Sequence, residues 1–327
     1  MVPDFKFVSI GVDLGGTKVD IGLVDPHGKI IQHIKEPTNV KGGPQAIIQG
    51  IAVAADKLQK ANPSLKVSCV GVGVAGQIDH VNGSVRFAPN LKWNDVPLQQ
   101  ELHKALGLPI FVANDVRVAT WGEWLFGEGK GSQDLICLFV GTGIGGGVVS
   151  NGHIMTGSTN SAGELGHMTV VLNGRKCHCG NRGCLEAYAG GWAIGEIARE
   201  EIAKDPAGGQ RILQEARGNL EDVTAKQVSK VFLEGDPLAN KVISQAVDAL
   251  IGGMVGIVNA FNPEKIVLGG GVINGLPMLV PIVEKGVKNF ALKVAAERLK
   301  IVPAKLKEEA GVVGAAAMAS RRMKNDN

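Results

Sequence analysis

Residues 6–28, KFVSIGVDLGGTKVDIGLVDPHG, and residues 134–155, DLICLFVGTGIGGGVVSNGHIM, share one grammar. Each has an apolar run, a turn of glycine and threonine, a second apolar run, and then another turn before a third run. Strand-length apolar runs punctuated by Gly, Asp and Asn predict a three-stranded meander in both places. Each meander is followed by further strands and helices, so the pattern predicts an internal duplication. After the first, the spacing of Ile47, Ile48, Ile51, Ala54, Ala55 and Leu58 predicts a helix over 44–60. Strands are expected at 68–76 and 109–113, a helix from Pro97 to Leu106 between them, and a helix over 116–127. After the second come helices at about 191–204, 224–233 (Thr224 as N-cap) and 236–260, a strand at 265–272 and a helix at 277–291. The chain closes with strand RLKIVPA and a small-residue helix, AGVVGAAAMASRR. The expected division is a small domain over 1–115 and a larger one over 116–309, with the last helix, about 310–323, packing back onto the first.

Composition fits that plan. A length of 327 residues exceeds one ordinary core, and 45% hydrophobic with 20% charged residues excludes a disordered chain. The formal charge of +3 makes no electrostatic case for nucleic acid or an anionic membrane. No run of 18 apolar residues and no basic leader with a long apolar core is present, so neither a membrane span nor a signal peptide is expected. Three of the five cysteines are clustered, while Cys69 and Cys137 lie in apolar runs and read as buried thiols. That usage fits a reducing compartment, and the cytoplasm is the expected location.

Four stretches are suited to chemistry. In the first, Asp13-Leu-Gly15-Gly16-Thr17-Lys18 lies in a strand-to-strand turn, where bare backbone N–H groups and a hydroxyl can meet phosphate oxygens. Asp13 would hold Mg²⁺ there, although a tight hairpin without a ligand reads equally well. Gly141-Thr142-Gly143 opens a run that fits G-x-G-x-x-G, but it leads into a strand rather than a helix. A second phosphate-holding hairpin is therefore the better reading than a dinucleotide fold. Gly269-Gly270-Gly271 follows a strand; it could admit a nucleoside or simply make the turn. Asn114-Asp115 ends an apolar strand, so Asp115 either accepts a proton from a substrate hydroxyl or caps the next helix.

A further array, His167-x9-Cys177-x-Cys179-x4-Cys184, offers an imidazole and three thiolates within a short span. That donor set suits tetrahedral zinc in a closed, structural site. Glu164 and Glu186 bracket it, and basic residues around the knuckle are opposed by those acids, which disfavours a nucleic-acid module. The remaining histidines read as isolated surface or core residues.

Together these pieces resemble the ROK (repressor, open reading frame, kinase) family of sugar kinases. The resemblance rests on DLGGTK at 13–18, Glu164-Leu-Gly166-His167, Cys177-His-Cys179-Gly-Asn-Arg-Gly-Cys184-Leu-Glu186, and the GVVGAA helix near the C-terminus. It implies a two-domain, actin-like ATPase (ribonuclease H-like) α/β fold, with duplicated mixed sheets flanked by helices and a zinc-binding insertion over 167–184. It implies an ATP- and Mg²⁺-dependent kinase that phosphorylates the 6-hydroxyl of glucose, with Asp115 as general base. Asn90, Asn114, Asp115, Glu164, His167 and Glu186 would meet the sugar. Asp13, Gly15, Gly16, Thr17, Lys18, Gly141, Thr142 and Gly143 would hold ATP phosphates, with Gly269, Gly270 and Gly271 near the adenosine. N-acetylmannosamine or N-acetylglucosamine is the alternative substrate. A sugar-responsive repressor is disfavoured, since about a dozen residues precede Asp13, too few for a helix-turn-helix. A homodimer is the family expectation. Two departures from the family pattern stand out: Ala75 where a proline is usual in the Gly73–Gly76 loop, and Val116-Arg117 where small residues are usual. Loss of zinc is expected to weaken sugar binding or unfold the larger domain, with ATP contacts less directly affected.

Overall fold

Both meanders form. In the computed structural model, which describes residues 7–325, the chain divides into two compact units. One contains the chain up to Gly131, the segment Ile154–Ala162 and the stretch from Lys305 onward. The other contains Ser132–His153 and Gly163–Ala304.

The first unit runs β1 (Phe7–Leu14), β2 (Lys18–Val24), β3 (Ile30–Pro37), α1 (Gly43–Ala61), β4 (Lys66–Val74), β5 (Gln77–Ile78), β6 (Val85–Ala88), β7 (Trp93–Val96), α2 (Leu98–Leu106), β8 (Ile110–Asn114) and α3 (Asp115–Leu125). Its main sheet has the order β3-β2-β1-β4-β8, antiparallel through the meander and parallel across β1, β4 and β8. The register sets Asp13 opposite Gly73, and Val74 opposite Asn114. Asp13, the Gly73 loop and Asn114 therefore share the carboxyl edge of neighbouring parallel strands, where open α/β sheets place ligand sites. Helix α1 buries the predicted stripe of Ile47, Ile48, Ile51, Ala54, Ala55 and Leu58, at roughly 1.5–3 kcal/mol for each large aliphatic side chain. The hairpin strands β5–β7 form a small separate sheet.

The second unit runs β9 (Leu135–Val140), β10 (Ile144–Ser150), β11 (His153–Ile154), α4 (Glu186–Ala189), α5 (Gly191–Lys204), α6 (Gln210–Glu215), α7 (Ala225–Leu233), α8 (Pro237–Phe261), β12 (Lys265–Gly269), α9 (Gly271–Gly275), α10 (Leu279–Phe290), α11 (Lys293–Ala296) and β13 (Lys300–Pro303). Its sheet order, β11-β10-β9-β12-β13, repeats the first with the same alternation of antiparallel and parallel pairs. The duplication read from sequence is thus a duplication of topology. Helix α8 has the length and hydropathy of a membrane span, but Leu238, Val242, Ile243, Leu250, Met254 and Ile257 are buried in the core of this unit. Thr224 caps α7 in a capping box with Gln227, and Asp236 caps α8.

The expected boundaries shift, for identifiable reasons. The first unit continues past Asp115 to Gly131 because α3 packs against the C-terminal helix (Ala310–Asn325). A Cβ on Gly314 would lie 1.6 Å from the Val118 carbonyl oxygen, so only glycine lets the two helices approach this closely. The return begins at Lys305 rather than 310, where the buried Glu123 carboxylate accepts the Leu306 N–H at 2.7 Å. The segment Ile154–Ala162 joins the first unit because the buried Arg117 guanidinium donates to the Asn160 side chain, to Asn160 O (3.0 Å) and to Ala162 O (3.4 Å). One departure from the family pattern thereby has a structural role. The strand expected over 265–272 stops at Gly269, and Gly271 starts α9.

Candidate active site

In the first unit, the β1–β2 hairpin is pinned on both sides. Gly15 N–H donates to Lys18 O at 3.1 Å, Thr38 Oγ1 to Gly15 O at 2.7 Å, and Thr38 N–H to Thr17 O at 3.0 Å. Asn90 lies against it: a Cβ on Gly16 would come within 2.8 Å of Asn90. Burial pushes the Asp13 carboxyl from 3.8 up to about 6, and the negative charge of Asp115 adds to the rise. Two carboxyls thus share the carboxyl edge of the sheet, and one holds its proton to near neutrality.

The question of whether Asp115 caps the following helix has a direct answer. Asn114 is the cap, its Oδ1 accepting from Val116 N–H (3.0 Å) and Arg117 N–H (3.2 Å). Asp115 is the first residue of α3, where the helix dipole favours a carboxylate. Asn114 also donates Nδ2 to Gly76 O at 3.3 Å. The Gly73–Gly76 loop, without its usual proline, is therefore held by Asn114. The Asn114 oxygen that would meet a sugar hydroxyl is already engaged with the helix N-terminus.

In the second unit, the Gly141–Gly143 hairpin is tied to the start of α5: Gly191 N–H donates to Gly141 O and Trp192 N–H to Thr142 O, each at 2.9 Å. Glu186 joins the same structure. Its Oε2 accepts the Ile144 N–H at 2.8 Å and its Oε1 accepts Trp192 Nε1 at 3.1 Å. A Cβ on Gly143 would meet Glu186 Oε2 at 2.3 Å, so a side chain there would push the carboxylate off the hairpin. Glu186, expected on the sugar, is at least as much a brace for the hairpin. Glu164 is exposed and precedes the short 3-10 turn Leu165–His167.

A cavity of about 1120 Å³ opens beside this hairpin. Gly141, Thr142 and Gly271 line it, together with residues the sequence reading missed: His178, Trp192, Thr224 and Lys226. Among the three consecutive glycines, Gly270 makes the turn with φ +89°, and a Cβ there would meet Val140 O at 2.4 Å. Gly269 packs against Phe139, which leaves Gly271 as the one on the cavity wall. Thr224 carried only a helix-cap signal in the sequence, and Lys226 none. His178, read as an isolated histidine, instead stacks on Trp192 with ring centroids 4.0 Å apart and planes 21° apart.

His167, Cys177, Cys179 and Cys184 come together, their ligand atoms all within 4.8 Å of one another. Backbone bridges Thr169–Cys184 and Lys176–Arg182 and the Cys177 N–H to Asn181 O bond (2.9 Å) fold the knuckle. Cys177 Sγ is 3.7 Å from His167 Nδ1, and Cys179 Sγ is 3.7 Å from Cys184 Sγ. With a metal–sulfur bond of ~2.3 Å, a tetrahedral edge is ~3.8 Å, so the donor set fits a zinc-sized cation. Without a cation, burial pushes the Cys177 thiol up to about 12, so binding must displace a proton from it.

Comparison with known proteins places this geometry in context. The sequence model of the ROK family matches residues 9–322. The chain is 36% identical to a glucokinase of Thermotoga maritima, over 97% of this chain and 99% of that protein. It superposes with a TM-score of 0.82 on a ROK family glucokinase from Streptomyces griseus, solved in complex with glucose and AMPPNP, at 32% identity covering 96% and 99% of the two chains. A xylose repressor of Caldicellulosiruptor bescii is also similar, 30% identical over 94% of this chain but 77% of the repressor.

Proposed function

This chain belongs to the ROK family, and from that premise we propose that it is an ATP-dependent hexose kinase that converts glucose to glucose 6-phosphate. The observation that carries the reading is the cavity of about 1120 Å³ beside the braced Gly141–Gly143 hairpin, a volume and floor suited to a nucleoside triphosphate. The near full-length similarity to glucokinases, one of them solved with glucose and an ATP analogue, supports it.

In this mechanism Asp115 accepts the proton of the sugar 6-hydroxyl as that oxygen attacks the γ-phosphorus. The bond from phosphorus to the β,γ-bridging oxygen breaks, and ADP leaves. The hairpins at Asp13–Lys18 and Gly141–Gly143 hold phosphate oxygens, and Gly271 lies beside the nucleoside. Asp13 would hold Mg²⁺, which neutralises charge on the transferring phosphoryl group when bound. Such a cation would favour the ionised form of a carboxyl whose ionisation burial otherwise opposes. Asn90, Asn114, Glu164, His167 and Glu186 form the hexose-binding set, several of them through the backbone they brace. His167, Cys177, Cys179 and Cys184 hold zinc as a scaffold for the Glu164 turn and the approach to Glu186.

The test is ADP release with MgATP across glucose, mannose, N-acetylmannosamine and N-acetylglucosamine. Glucose is expected to give the highest kcat/KM. Preference for an N-acetylated hexose would overturn the assignment of the sugar. Absence of turnover on every sugar would overturn the kinase reading.

A further inference from the structure

His178 stands between two of the metal-ligand cysteines, yet its ring is in the donor cavity. It lines the same space as Gly141, Thr142 and Gly271 and is stacked at 4.0 Å on Trp192. Trp192 in turn donates its backbone N–H to Thr142 O (2.9 Å) and its indole N–H to Glu186 Oε1 (3.1 Å). The other Glu186 oxygen takes the Ile144 N–H at the end of the phosphate hairpin. One continuous set of contacts therefore runs from the Cys177–Cys179 loop, through a ring pair, to the backbone assigned to the phosphates. His178 is exposed and stacks on Trp192, and it is flanked in sequence by Cys177 and Cys179, both members of the cluster.

We propose that His178 is a nucleotide-contacting residue, so that a cation in the His/Cys cluster and a nucleotide in the cavity each strengthen the binding of the other. The proposal rests on the kinase reading above and revises the expectation that metal loss affects the ATP contacts less directly than the sugar. Stacked ring contacts contribute about 0.5–1.5 kcal/mol, which corresponds to about a 2- to 13-fold change in affinity. Coupling of this kind is reciprocal in equilibrium binding.

Two measurements test it. The first is calorimetric titration of zinc-loaded wild type, His178→Ala and His178→Phe with AMPPNP, with metal content determined on each sample. His178→Ala is expected to bind AMPPNP about 2- to 13-fold more weakly at unchanged glucose affinity, and His178→Phe, which keeps a ring on Trp192, is expected to stay close to wild type. Wild-type affinity in His178→Ala at full metal content overturns the proposal. The second needs no variant: the zinc affinity of wild type, read by equilibrium competition with a chromophoric chelator, should rise by a similar factor when AMPPNP saturates the protein. A zinc affinity that ignores AMPPNP overturns the coupling even if His178→Ala fails to fold. Failure of wild type to bind AMPPNP at all is a separate result, and it removes the kinase reading itself.

Discussion

Replacing Asp13 with asparagine should separate what the carboxylate costs the fold from what it contributes to the reaction. Burial, and then the charge of Asp115, raise its folded-state pKa from 3.8 to about 6. Between those values the folded chain keeps a proton that the unfolded chain has released, so stability falls as pH rises through the window. Below 3.8 both states are protonated and nothing is lost; above about 6 the loss is complete. At about 1.4 kcal/mol per tenfold change in proton affinity, the full cost is on the order of 3 kcal/mol, discounted to about 2 because Asp13 is partly exposed. Asparagine is nearly isosteric and carries no such cost. In metal- and nucleotide-free protein at pH 8, Asp13→Asn should therefore melt higher, by ~4–8 °C at ~2–4 °C per kcal/mol. The gain should shrink to nothing toward pH 4. The same variant should lose ~10²-fold or more in kcat, since an amide cannot replace the carboxylate at a cation. Scanning calorimetry from pH 4 to 8, beside steady-state kinetics, reads both effects. A variant that is less stable than wild type at pH 8, by an amount independent of pH, would refute the reasoning about the buried carboxyl.

Two further outcomes follow from the same geometry. Asn114→Ala removes the α3 cap and the tether to Gly76; it should cost about 1–2 kcal/mol by denaturant titration and raise the hexose KM. Cys184→Ser, or zinc removal by a chelator, should empty the cluster as read by metal analysis, lower Tm and raise the hexose KM by ~10-fold, because the Glu164 turn and Glu186 lose their fixed mount. Unchanged kinetics in verified metal-free protein would mean the cluster has no part in the site.

What the sequence disclosed was set by how long each signal runs. The meanders repeat over more than twenty residues, with turn residues at matching places, and the two five-stranded sheets follow that pattern strand for strand. The His/Cys cluster was legible because its spacing is local, and the Thr224 capping box for the same reason. Strands β5 to β7 were missed because two to four residues cannot show a period of two. The boundary was placed too early because nothing in the sequence of α3 says what covers it. That is decided by glycines on the C-terminal helix and by Glu123 accepting from Leu306, more than a hundred residues away. His178 was legible only as a spacer between Cys177 and Cys179, and its stack on Trp192 of α5 exists only in the fold. Glu186 shows the limit of motif reading: the glutamate was singled out, but its contacts with Ile144 and Trp192 exist only in the fold.

The central claim is that Asp115 takes the proton of the attacking hydroxyl, and the most direct measurement is kcat for glucose phosphorylation in wild type and Asp115→Asn. Circular dichroism and AMPPNP affinity serve to show that the fold and the donor site are intact. The account predicts a fall of ~10²–10⁴-fold in kcat with AMPPNP binding nearly unchanged. A correctly folded Asp115→Asn enzyme that phosphorylates glucose at close to the wild-type rate would contradict it.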